Sequence, residues 1–132
     1  MQSGARVVHL VLSVLFIAGL VVQFFLAGVG VFDGPERFET HRTWGYTLEL
    51  FPLLLLIAGL VGRMGRRLAL LAVAEFGLFI LQSVLIAFRE STPAVAALHP
   101  VNGFLILLIA IVIARESWLA RGVARGEQAA AV

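Results

Sequence analysis

Between Val7 and Phe32 the chain carries no charged residue, and only His9, Ser13 and Gln23 are strongly polar. A helix rises 1.5 Å per residue, so about 20 apolar residues cross the hydrocarbon core of a bilayer and this run suffices. Backbone N–H and C=O groups left bare in lipid are costly, so a spanning segment of this kind must be a helix. The run is also longer than the apolar stretch of a signal peptide and reads as a retained span.

Three more runs follow the same logic, giving spans at 7–32, 43–62, 68–88 and 97–119. They are separated by the polar stretch Asp33–Arg42, the short turn Arg63–Arg67 and the break Arg89–Pro93. Composition agrees: 61% of the residues are hydrophobic, where a soluble domain sits nearer 45–50%. The reading is a single membrane domain over 1–132, with an Ala- and Gly-rich tail, 120–132, expected to be disordered. Short connections favour antiparallel neighbours. The expected fold is therefore all-α, a four-transmembrane-helix antiparallel bundle.

All ten basic residues are arginines. Arg6, Arg63, Arg66, Arg67, Arg115, Arg121 and Arg125 fall on one side of the spans; Arg37, Arg42 and Arg89 fall on the other. The excess predicts that both termini are cytoplasmic. A net charge of +2 implies no nucleic-acid partner. With no cysteine and no lysine, thiol chemistry, iron–sulfur clusters and Schiff bases are excluded. No P-loop, dinucleotide-binding glycine pattern, Gly-x-Ser-x-Gly or His-Glu-x-x-His occurs.

The two halves of the chain share a pattern. Span two opens His41-Arg42-Thr43-Trp44-Gly45-Tyr46 and span four opens His99-Pro100-Val101-Asn102-Gly103-Phe104; both read His-x-x-x-Gly-aromatic. Gln23 and Gln82 precede the two histidines by 18 and 17 residues. Matching features in matching order predict two similar helical hairpins related by an axis along the membrane normal. Spans two and four then face each other diagonally, with His41 and His99 at equal depth. Two such imidazoles form a natural axial pair for one haem iron. Gly45 and Gly103, four residues along, share the faces of the histidines and leave room for a flat ring near the backbone. Arg37, Arg42 and Arg89 lie at the same end and suit haem propionates. The plainer alternative also stands: interface histidines with helix-packing glycines give much the same pattern.

His9 has no second histidine at its end of the bundle and is expected to be an interfacial or hydrogen-bonded histidine rather than a haem ligand. Glu49 lies on the face of His41, about 12 Å deeper, and Glu75 lies in the inner half of span three. Carboxyls in hydrocarbon face a partner or the bundle interior. Helix–helix hydrogen bonding with Gln23, Gln82 or Ser83 is preferred for them over a proton path. Pro52 is expected to kink span two, and Trp44, Tyr46 and Trp118 to sit at the interface.

With Glu39-Thr40-His41-Arg42 opening span two and Leu98-His99-Pro100-x-Asn102-Gly103 opening span four, the chain resembles an uncharacterised family of small four-helix bacterial membrane proteins over nearly its whole length. The layout is also similar to one half of haem A synthase and, more loosely, to membrane b-type cytochromes, where histidines on helices two and four bind haem. The haem A synthase half has Glu-x-x-His-Arg; here Glu39 is one position too close to His41, and haem A synthesis is not expected. The resemblance implies a bacterial inner-membrane protein holding one haem b through His41 and His99. Its work would be electron transfer, with quinol or a redox protein as partner, or haem handling, and a homodimer is compatible with its size. The alternatives are a cofactor-free accessory or scaffold subunit of a larger complex and a small transporter using Glu49 and Glu75.

Overall fold

The computed structural model describes the backbone of residues 2–130 and the side chains of residues 2–121. It is an all-α bundle of four helical columns, with no strand among the described residues. The first column is α1 (Gln2–Phe32). After a single 3-10 turn at Pro35–Arg37, the second is built from α2 (Phe38–Leu48) and α3 (Leu50–Val61). The third is α4 (Arg66–Ala87). A short α5 (Pro93–Ala96) leads into the fourth, α6 (Leu98–Ala130). All four columns are long and apolar enough to cross a membrane, and the chain is a multi-pass membrane protein.

α1 packs against α2, α3 and α6, and α4 packs against α3 and α6. The columns therefore form a ring in which the first and third are diagonal to each other, as are the second and fourth. Both termini and the α3–α4 turn lie at one end, here the terminal face. Two contacts tie that end together: Arg6 Nε donates to Gly62 O at 3.0 Å, and Arg67 pairs with Glu116 at 3.3 Å. The other end, the loop face, carries 33–37 and 88–97.

The break between α2 and α3 has a sequence cause. Pro52 has no N–H for the carbonyl of Leu48, and its ring crowds that carbonyl. The helix accordingly interrupts at Glu49, whose N–H is held by Gly45 O at 3.2 Å. In α6 the corresponding position is Ala110, and that helix is continuous. α6 also runs on as helix to Ala130, where the sequence suggested a disordered tail from 120; residues 131 and 132 lie outside the described residues. Alanine, arginine, glutamate and glutamine all favour helix and outweigh Gly122 and Gly126.

Between helices already in lipid there is little hydrophobic drive, so association rests on close packing and interhelical hydrogen bonds. The packing centre is Phe16, fully buried, stacked on Phe51 with centroids 5.4 Å apart and tilted against Phe79 at 5.9 Å. Leu20, Leu48, Leu55, Ile106 and Ile113 close around it. The outward faces are apolar as well: Phe25, Phe32 and Trp118 are largely exposed, as lipid contact requires.

The repeat extends through the whole core. When the hairpins are aligned on their glutamines and histidines, eight pairs of buried positions coincide. His9 matches Leu68, Ser13 matches Ala72, Phe16 matches Glu75 and Leu20 matches Phe79 on the first helix of each hairpin. Leu48 matches Ile106, Pro52 matches Ala110, Leu55 matches Ile113 and Gly59 matches Ser117 on the second. All sixteen are buried.

Candidate cofactor site

At the loop face the diagonal arrangement brings His41 and His99 together, their ring centroids 6.3 Å apart and their planes at 61°. Each ring is held the same way. His41 Nδ1 lies 3.1 Å from Gln23 O, and His99 Nδ1 lies 3.1 Å from Gln82 O. A carbonyl only accepts, so both Nδ1 atoms carry the proton and donate. That leaves Nε2, with its lone pair, as the other nitrogen of each ring.

The matching continues one turn deeper. Trp44 Nε1 donates to Gly19 O at 2.9 Å, and Asn102 Nδ2 donates to Leu78 O at 2.9 Å. Trp44 and Asn102 each follow their histidine by three residues, and Gly19 and Leu78 each precede their glutamine by four. In both hairpins, then, the second helix is pinned to the first by two side-chain donors on carbonyls four residues apart. Trp44 was expected at the membrane interface; it is instead half-buried against α1. Tyr46 and Trp118 are exposed and face outward.

The two halves differ in where the glutamine side chain goes. Gln23 Nε2 lies 3.3 Å from His41 Nε2, so the amide donates to the ring nitrogen. Gln82 Oε1 instead accepts from Asn102. Gln23 Oε1 and Asn102 Oδ1 are buried without a hydrogen-bond partner.

Gly45 and Gly103 lie on the predicted faces but against different neighbours. A Cβ on Gly45 would come within 2.9 Å of Gln23 Nε2, and one on Gly103 within 3.3 Å of Gln82 Nε2. Each glycine accommodates the glutamine of its own hairpin. The arginines do not converge on the histidines. Arg37 pairs with Asp33 at 2.8 Å, Arg42 with Glu39, and Arg89 with Glu90 at 3.1 Å, all on the exposed surface. Among the described residues no cluster of three or more His, Asp or Glu forms a metal cage.

The remaining polar residues of the spans sort by place. Ser83 Oγ donates to Glu49 Oε1 at 3.3 Å, joining α4 to the break in the second column; that is the interhelical bond expected of Glu49. At the terminal end His9 Nδ1 lies 2.8 Å from Ser117 Oγ. Glu75 is fully buried, and neither of its oxygens has a partner.

In comparison with known proteins, residues 23–89 match the model of a family described as a family of unknown function (DUF6220). The match takes in Gln23, His41 and Gln82 and ends before His99. No curated protein and no solved structure matches the chain.

Proposed function

We propose that this chain, which belongs to the DUF6220 family, is a small membrane b-type cytochrome that binds one haem b at the loop face through His41 and His99. The observation that carries the reading is the imidazole pair. One metal ion held by both imidazoles would take a ring nitrogen from each of the two diagonal columns, which needs the rings close together. The rings of His41 and His99 are 6.3 Å apart. Histidines that ligate a metal commonly give their other N–H to a backbone carbonyl, which fixes the tautomer and the ring, and both histidines do so here.

When bound, the haem would supply one-electron redox chemistry, with quinol or a redox protein as donor or acceptor. The chain's own residues do the rest. His41 and His99 offer Nε2 as ligands. Gln23 has to release His41 Nε2, and its amide is then free to turn. Arg37, Arg42 and Arg89 are committed only to exposed ion pairs, which hold weakly, so exchange for a propionate carboxylate is easy. The arginine distribution favours cytoplasmic termini, which would put the haem near the outer face of a cell membrane.

A cofactor-free accessory subunit is the second reading. It is favoured by the glutamine side chains that occupy the space at Gly45 and Gly103. One experiment separates the two. The protein is purified in detergent and its absorption spectrum recorded before and after dithionite. A cytochrome gives an intense Soret band and, once reduced, sharp α and β bands; His41→Ala and His99→Ala each remove the six-coordinate spectrum. A preparation that is colourless and stays so after haem addition overturns the cytochrome reading.

A further inference from the structure

The two hairpins share eight pairs of buried positions, yet in four of the pairs near the terminal face one member is polar and its match is apolar. His9, Ser13, Glu75 and Ser117 stand where the other hairpin has Leu68, Ala72, Phe16 and Gly59. All four are buried, at 1% exposure or less. Their apolar counterparts show that this packing does not need polar side chains. The loop-face half behaves differently: it keeps glutamine, histidine and glycine on both sides.

Three of the four form one hydrogen-bonded cluster. His9 Nδ1 and Ser117 Oγ are 2.8 Å apart, and Ser117 Oγ and Ser13 Oγ are 3.4 Å apart. Ser13 and Ser117 also donate to carbonyls of their own helices. A Cβ on Gly59 would come within 3.4 Å of the His9 ring, so the glycine leaves that ring its room against α3. His9 Nε2 and both Glu75 oxygens have no partner. Glu75 matches Phe16 in the repeat, which sets it one helical turn deeper than Ser13, about 4.5 Å along the axis. Water lodged between Glu75 and the serine hydroxyls would complete the path. Beyond Glu75 the path stops. Leu20, Phe79, Leu48 and Ile106 fill the core for about 10 Å before the level of Gln23 and Gln82 is reached.

We propose that Glu75 is a blind-ended proton-binding site, loaded from the terminal face through His9, Ser117 and Ser13 and closed towards the loop face by the apolar core. A proton passes from water at the terminal face along the N–H and O–H groups of this chain, and through the bridging water, to a carboxylate oxygen of Glu75, giving the neutral acid. It leaves by the same route. No electron moves and no bond between heavy atoms changes. The site stands apart from the histidine pair and works with or without a haem.

Infrared spectroscopy of the full chain in lipid nanodiscs tests it. A buried carboxylic-acid C=O band is expected in the wild type and absent in Glu75→Gln. On transfer to D2O that band shifts, and the exchange slows about tenfold in Ser117→Ala, the loss of one hydrogen bond in the path. Ser13→Ala slows it similarly, while Phe25→Ala, on the outward face, leaves the rate unchanged. The proposal is overturned if the band survives Glu75→Gln, if it never exchanges, if both serine variants exchange at the wild-type rate, or if Phe25→Ala alters the rate. The serine variants shorten side chains where the other hairpin already has alanine or glycine, so a folding failure is not expected to mask the result.

Discussion

Glu75→Leu should make the protein more stable. The carboxyl is fully buried, without a hydrogen-bond partner, on the α4 face that carries Leu68, Ala72 and Phe79 into the core. Mutational data put the burial of an unmatched polar group at about 1–3 kcal/mol, and an unpaired charge would be worse. Leucine is close to glutamate in volume and brings no polar atom. The matching place in the other hairpin holds Phe16, so an apolar side chain suits this position of the bundle. Transfer from lipid to protein interior adds little, which leaves removal of the polar penalty as the main change, a gain of about 1–3 kcal/mol. One bridging water on the Ser13 side would satisfy one oxygen and bring the figure towards the lower end. Equilibrium unfolding in mixed micelles with rising SDS measures it, with Trp44 as reporter because its indole is seated on Gly19 O. Glu75→Gln keeps shape and polarity and should move the midpoint by less than about 0.5 kcal/mol. A Glu75→Leu protein less stable than wild type by about 1 kcal/mol or more would refute the reasoning, since it would mean that the carboxyl is well partnered in the intact bundle.

Other changes have equally definite outcomes. Pro52→Ala gives the second column the residue that α6 has at Ala110, and the new amide at position 52 should bond Leu48 O; hydrogen exchange at that amide should be slow, and fast exchange would assign the break at Glu49 to another cause. Arg63 sits at φ 48°, a left-handed conformation that costs a side-chain-bearing residue about 1–2 kcal/mol, so Arg63→Gly should stabilise by about 1 kcal/mol in the same titration. Gly65→Ala, at φ 93°, should do the opposite by about 1–2 kcal/mol; equal signs for the two would show that the turn is not held in this conformation. Gly45→Ala brings a Cβ against the mobile end of Gln23, so it should cost less than about 1 kcal/mol while turning the amide off His41 Nε2. A loss above about 2 kcal/mol would mean that Gln23 has nowhere to go.

Much of this architecture was legible because membrane physics leaves few options. Uncharged runs had to be helices, short connections had to make neighbours antiparallel, and the paired His-x-x-x-Gly-aromatic openings placed His41 and His99 on diagonal columns at one depth. Pro52 marked its break for the same reason: a missing N–H is visible in the sequence. Spacing failed where a choice of neighbour decided the outcome. Gly45 shares a face with His41, but nothing in the spacing says that the face turns towards Gln23. Trp44 carries an N–H that reads equally well as an interface anchor or as a donor to another helix. The local pairs Arg37–Asp33 and Arg42–Glu39 are at helical spacing and are readable in the sequence. The full extent of the repeat was hidden because its matched positions hold unlike residues, with Glu75 opposite Phe16 and His9 opposite Leu68, and only burial reveals them as equivalent.

That uneven divergence carries a functional argument. A ligand held between two diagonal helices needs both hairpins to present the same group at the same depth, so the loop-face half is bound to symmetry: two histidines, two glutamine carbonyls to orient them, two glycines one turn deeper. A site approached from one end along a single path has no such requirement. The terminal half is asymmetric, with His9, Ser13, Glu75 and Ser117 each matched by an apolar residue or glycine. The repeated hairpin thus presents a symmetric histidine pair at one face and unlike buried polar groups towards the other, separated by the apolar layer around Leu20, Leu48, Phe79 and Ile106. Widening that layer's permeability, for instance with Phe79→Ser, should let deuterium reach Glu75 even when Ser117→Ala has slowed the terminal route. If the double variant exchanges no faster than Ser117→Ala alone, the layer around Phe79 is not the barrier between the two halves.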